Sequence, residues 1–290
     1  MSSTAASLSL KELSESERAA LLTLLADEDP AVYQTIRDRI VACGPAAVAW
    51  LRPYRLTADP ALRRRVKEII RHFERGDADN RFLTFCLKHG EEFDLELAAW
   101  LFAQTRYPEI NVAAYQAVLD SHAAEMRERI IFCSTSEEIL TVVNKYLFEE
   151  LGFTGNEANY YEPANSYLNR VLDRRTGNPI NLCLLYLLIA RRLRLPVSGI
   201  GLPGHFICRF QSSSEEIYID VFNRGRFLKK ADCVQFLQHG NYSLRDDFLS
   251  PVSPRRILMR ICSHLHQIYT NLENNDETTR LQRYLVALAR

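Results

Sequence analysis

The chain has 290 residues, 36 Lys and Arg against 36 Asp and Glu, and 47% hydrophobic residues. That apolar content is enough for a sizeable core, so disorder is excluded as the default state. Zero formal charge supplies no net field to draw nucleic acid or an anionic membrane.

Nothing in Met1–Lys11 combines a basic segment with an apolar one, and no later run reaches the ~18 apolar residues of a membrane span. A soluble, cytoplasmic protein is expected. From Leu10 to about Glu74 the pattern is helical: Ser14-Glu15-Ser16-Glu17 supplies a cap and an acidic first turn, and Asp29-Pro30 and Asp59-Pro60 restart helices. The recurrence of Asp-Pro-Ala about 30 residues apart resembles short helical repeats of the HEAT type, a docking scaffold rather than a catalytic element. Arg63-Arg64-Arg65 and Lys67 read as a solvated helix face, because no aromatic platform is interleaved with them.

Arg75–Asn80 is the best candidate boundary, separating a helical extension over 1–76 from a core over 77–250. Helical periods resume at Phe82, Leu95 and Val112, and Ser136 is expected to cap the next helix. Two glycines then mark a loop at Gly152–Gly155. Asn178 and Pro179 make a strong helix start, since Asn can cap free amides and Pro at the first helical position loses no bond. The helix that follows, carrying Cys183, is apolar on nearly every side, which implies burial at the centre of a domain.

Period-two patterning begins after Pro196. Val197–Gly201, His205–Phe210 and Ile217–Phe222 are expected strands. With Ser212-Ser213 at the hairpin tip, partner numbers sum to 425, which sets His205 directly across from Asp220 on one face. Ser250–Pro254 reads as a linker, and 251–290 as a pair of amphipathic helices that packs on the core.

Seven cysteines, an odd count without short spacings, fit reduced thiols better than disulfides. There is no Cys-x-x-Cys pair, and His264 and His266 point to different sides of a helix. No metal and no cofactor are therefore expected.

Tyr160, Asn165-Ser166-Tyr167-Leu168-Asn169, Arg175-Thr176-Gly177-Asn178-Pro179-Ile180, Gly201-Leu202-Pro203-Gly204-His205-Phe206 and Ile219-Asp220-Val221-Phe222 together resemble the SirB-type transglutaminase-like proteins. The resemblance implies an α+β, mostly helical fold. Its core is a transglutaminase/papain-like central helix on a small antiparallel sheet, with HEAT-like helices before it and a tetratricopeptide-like helical hairpin after it. It also implies a Cys, His, Asp site, with His205 and Asp220 on the matching strand positions.

The thiol matches less cleanly. Counted back from Pro196, the nucleophile's slot falls at about Pro179, one helical turn before Cys183. Thiolate stabilisation by a helix N-terminus fades beyond the first turn, while burial favours the neutral thiol. Cys183 is thus either a displaced nucleophile or a core thiol, and His205 either a general base or a structural histidine held by Asp220. Tyr160, Asn165, Asn169, Arg175 and Asn181 are candidates to line a cleft beside them, or else turn caps. Two functions follow: a protein- or peptide-binding module with a degenerate site, or a thiol-dependent acyl transferase or amide hydrolase using Cys183, His205 and Asp220.

Overall fold

The computed structural model describes residues 13–240, 242 and 246–290; Met1–Lys11, expected to carry no leader, lies outside them. The fold is α+β and mostly helical, with two compact units: residues up to Asn80 with Thr105–Glu109, and Arg81–Gln104 with Ile110–Arg290. Among the described residues no helix is long and apolar enough to cross a membrane.

The first unit is built by α1 (Glu15–Leu25), α2 (Pro30–Ala42), α3 (Ala46–Leu51) and the first part of α4 (Pro60–Lys88). Their starts follow the sequence signals. Ser14 and Glu17 close a capping box on α1, and Asp29 accepts from Ala31 N ahead of Pro30. Leu25, Ile40, Leu51, Val66 and Ile69 fill the core. Arg65 departs from the expected solvated face. Its guanidinium donates to the carbonyls of Leu25 and Asp27 at the end of α1 and sits 4.5 Å over the Tyr33 ring. α4 runs unbroken through Arg75–Asn80, where the helical pattern was expected to pause, and the division between the two units falls within it at Asn80. One mid-helix glycine costs only about 1 kcal/mol relative to alanine, which neighbouring burial readily offsets.

In the second unit α5 (Leu95–Arg106), α6 (Val112–Ile130) and α7 (Ser136–Asn144) precede the core. Thr135, not Ser136, caps α7, pairing reciprocally with Glu138. Two-residue strands β1 (Thr154–Gly155) and β2 (Thr176–Gly177) pair in parallel around α8 (Leu168–Arg174). α9 (Pro179–Arg192) is the centre: eleven of its residues from Pro179 to Ala190 are buried. Each fully buried Leu or Ile there contributes about 1.5–3 kcal/mol of transfer free energy. Across it lie β3 (Val197–Ile200), β4 (Ile207–Gln211), β5 (Glu216–Asp220) and β6 (Arg226–Leu228), antiparallel in chain order.

Partners on β4 and β5 sum to 427, because the turn is Ser212–Glu215 with Ser212 N bonded to the Glu215 carbonyl. The two-unit difference from the expected register preserves which face each side chain occupies, since strand side chains alternate with period two. α10 (Lys230–His239), α11 (Pro254–Asn271) and α12 (Asn275–Leu288) complete the unit. The expected linker before α11 is tied to the sheet: Pro251 bridges Ile200, and Val252 N donates to the Gly199 carbonyl.

Candidate functional site

Asn178 caps α9 through its Oδ1, which accepts from Asn181 N at 2.9 Å and from the Asn181 side chain at 3.1 Å. This anchors the helix start, with Pro179 as its first residue. Facing it, the turn Leu202–His205 closes through His205 N to the Leu202 carbonyl. Gly204 there adopts φ 74°, a conformation that favours glycine. His205 then meets the end of β5: its Nε2 lies 2.9 Å from Asp220 Oδ1. Asn223 donates its side-chain amide to Asp220 Oδ2 at 2.7 Å and its backbone N–H to Oδ1.

Burial pushes the Asp220 pKa up, but the bonds from His205 and Asn223 more than offset this and hold it below the usual carboxylate value. Asp220 is thus a carboxylate that accepts from Nε2 and orients the His205 ring. Its folded-state pKa is depressed, so its contribution to stability is present above its unfolded pKa and lost as pH falls through the folded value. Asp220→Asn is expected to be less stable than the parent at pH 7, with the gap closing below about pH 4 as the parent's carboxylate protonates. Thermal unfolding of both proteins from pH 7 to pH 3 checks this; a gap independent of pH contradicts it.

Two adjoining cavities open at this point. The larger, about 610 Å³, is walled by Pro179, His205, Asp220 and Phe222 on the core side and Phe236 and His239 from α10. The smaller, about 210 Å³, runs from Pro179 and His205 to α11. Tyr160, Pro179, Gly204 and His205 line both, so they form one cleft over the head of α9.

Cys183 lines neither cavity. It is 0% exposed, and its Sγ is 3.4 Å from the Phe206 carbonyl, to which it donates. Burial pushes its pKa well above the ordinary thiol value, and the neighbouring Cys208 thiol adds to the rise. Among the described residues no hydrogen bond joins it to His205.

A family model described as the transglutaminase-like superfamily matches residues 113–263, which span α9, the sheet and all of the cleft's lining except His264 and Gln267. The chain belongs to the transglutaminase-like superfamily. It is 35% identical over 196 residues to a UPF0162 protein of Xylella fastidiosa strain 9a5c, covering 66% of this chain and 70% of that one. A UPF0162 protein of Pseudomonas aeruginosa is 27% identical over 188 residues, 64% of this chain and 68% of that one. The F-box only protein 21 of Mus musculus is 34% identical over 137 residues, 44% of this chain but 21% of that protein. No solved structure matches the chain.

Of the five residues named from sequence as candidates to line a cleft, only Tyr160 borders this transglutaminase-like cleft. Asn165, Asn169 and Asn181 are buried, at 0%, 2% and 1% exposure. Asn165 donates to the carbonyls of Asn159 and Tyr160, which shapes the loop that presents Tyr160. Arg175 is exposed at the end of α8 in the left-handed region, φ 54°, and donates to the Leu151 carbonyl. Sequence reasoning missed Phe236, His239, Arg260 and His264. They sit on helices distant along the chain whose periodicity signals only which face packs, not what it packs against.

Proposed function

We propose that this transglutaminase-like protein binds a protein or peptide segment in the cleft over the head of α9, without using Cys183 as a nucleophile. The observation that carries the reading is the exchange of positions at that helix start. Pro179, which has no reactive group, faces the cleft beside His205, while the thiol one turn later is sealed beneath it. A nucleophile must come within about 2.6–3.2 Å of its base and of its substrate, and a wholly buried sulfur meets no substrate. Mixed apolar and polar walls at this volume suit an extended segment. The mouse relative holds the matching region within a fifth of its length, in keeping with a module used inside larger chains.

Within the superfamily we assign the chain to the SirB-type members. Residues 1–76 are read as a HEAT-like docking extension, 77–250 as the core and 251–290 as a tetratricopeptide-like hairpin, in a cytoplasmic setting. The His205–Asp220 pair favours a second reading, thiol-dependent acyl transfer or amide hydrolysis. In that reading Cys183 attacks, His205 moves the proton and Asp220 orients the ring.

Panning a displayed random peptide library on the full chain distinguishes the two. Under the first reading peptides are enriched, Cys183→Ala binds them unchanged, and Phe236→Arg in the larger cavity weakens them at least about tenfold, or ~1.4 kcal/mol. Absence of any enriched peptide sinks that reading, as does turnover abolished by Cys183→Ser.

A further inference from the structure

The smaller arm of the cleft contains polar groups left partly unanswered among the described residues. Arg260, Ser263, His264 and Gln267 enter it from α11, and their spacing puts them on one helix face. Arg260 uses one nitrogen, Nη2, to hold the turn before the site, donating to the carbonyls of Leu202 and His205, the latter at 2.8 Å. Its guanidinium lies 5.5 Å over the Phe206 ring. Among the described residues no carboxylate pairs with it, and Nε and Nη1 have no protein acceptor.

One turn along α11, both ring nitrogens of His264 are buried and without a hydrogen-bond partner among the described residues. The ring is packed edge-to-face against Tyr160 and parallel to Tyr161. Burial, and then the Arg260 charge, pull its pKa down, so the imidazole is neutral and carries one N–H to donate. A partly buried arginine without an anion and a buried imidazole without a partner are each costly in the empty state.

We infer that this cavity receives a carboxylate of the bound segment, held by the free edge of the Arg260 guanidinium and by His264. The inference rests on the peptide-binding reading and names the chemistry that reading leaves open. A carboxylate fits for three reasons. The wall supplies one formal positive charge, which balances a monoanion. The guanidinium edge matches the planar carboxylate geometry. Among the described residues no Asp or Glu lines this cavity to repel it, whereas Asp220 and Asp232 line the larger one. A segment crossing Pro179, Gly204 and His205 therefore runs with its acid toward α11. A C-terminal carboxylate and an Asp or Glu side chain present the same group.

Four pools of random heptapeptides, N-acetylated, distinguish the sources on the immobilised full chain: free acid or C-terminal amide, each with or without Asp and Glu at the randomised positions. The amide pool lacking Asp and Glu, which has no carboxylate, is expected to be retained at least tenfold less than the best acidic pool. Dependence on the free acid alone assigns a C-terminus, and dependence on Asp and Glu in the amide pools assigns a side chain. Arg260→Gln is expected to abolish the preference. Because that change also loosens the turn at His205, His264→Phe, which keeps the ring packing against Tyr160 and Tyr161, is the second variant and is expected to reduce the preference. Equal retention of neutral and acidic pools overturns the carboxylate site while leaving peptide binding standing. A preference untouched by both variants, or stronger retention of a phosphoserine pool, also overturns it. Retention of no pool overturns both readings.

Discussion

Replacing Arg255 with alanine is expected to lower the stability of the second unit by about 3–5 kcal/mol. This side chain is 5% exposed and lies in the first turn of α11, where its charge opposes that helix's own dipole. It serves other helix ends instead. Nε donates to the Leu288 carbonyl at 2.8 Å and Nη2 to Ala287 at 2.9 Å, at the end of α12. Nη1 donates to Cys86 at 3.1 Å and His89 at 2.8 Å, at the end of α4. The final carbonyls of a helix have no intrahelical donor, and here one planar cation satisfies two such ends in a buried place. A hydrogen bond to a charged group contributes about 1.5–3 kcal/mol, and alanine removes several together, leaving buried acceptors unpaired. Arg255→Lys is expected to recover only a minor part, because a single ammonium cannot reproduce the planar fork. Urea unfolding midpoints of the three proteins check this, and a loss below ~1 kcal/mol for Arg255→Ala contradicts the dual-cap account.

The second large effect concerns thiol chemistry at the head of α9. In the native protein Cys183 is expected to react with iodoacetamide at pH 7.5 at least ~1000-fold more slowly than in urea, since a sealed thiol is reached only through transient opening. The half-buried Cys133 is expected to be labelled first. Pro179→Cys moves a thiol into the cleft, to the first helical position beside His205, where free amides and the helix dipole favour the thiolate. That new thiol is expected to react at least ~100-fold faster than Cys183, at a stability cost of about 0.4–1 kcal/mol for the lost proline. Mass-spectrometric mapping of labelled peptides over time measures both rates. Native labelling of Cys183 ahead of Cys133 would favour the nucleophile reading instead.

Local chemistry made much of this molecule readable along the chain. Asn178 and Pro179 announce the start of α9 because capping and a missing N–H are properties of neighbouring residues. The alternation from His205 to Phe222 announces a hairpin because strand period is a local property. Even a register displaced by two residues left His205 and Asp220 on one face, since period two is insensitive to an even shift. The family resemblance rested on the same stretch.

What a side chain touches was not readable in this way. Asn165, Asn169 and Asn181 are polar residues near a tight loop, and the order of residues is silent on whether such amides face solvent, a ligand or the backbone. The tertiary structure buries them, and Asn165 and Asn181 bond to the chain itself. The same holds for Arg255, Arg260 and His264, whose surroundings come from segments far apart in the chain. It holds also for the one-turn difference that puts Pro179 in the cleft and Cys183 beneath it. Most helix starts and the strand period were determined by sequence alone, because each depends on residues a few positions apart, and the His–Asp pairing followed because one hairpin brings together residues fifteen apart. Burial, cavity walls and thiol access were decided only by packing, because they depend on what distant helices bring to the same place.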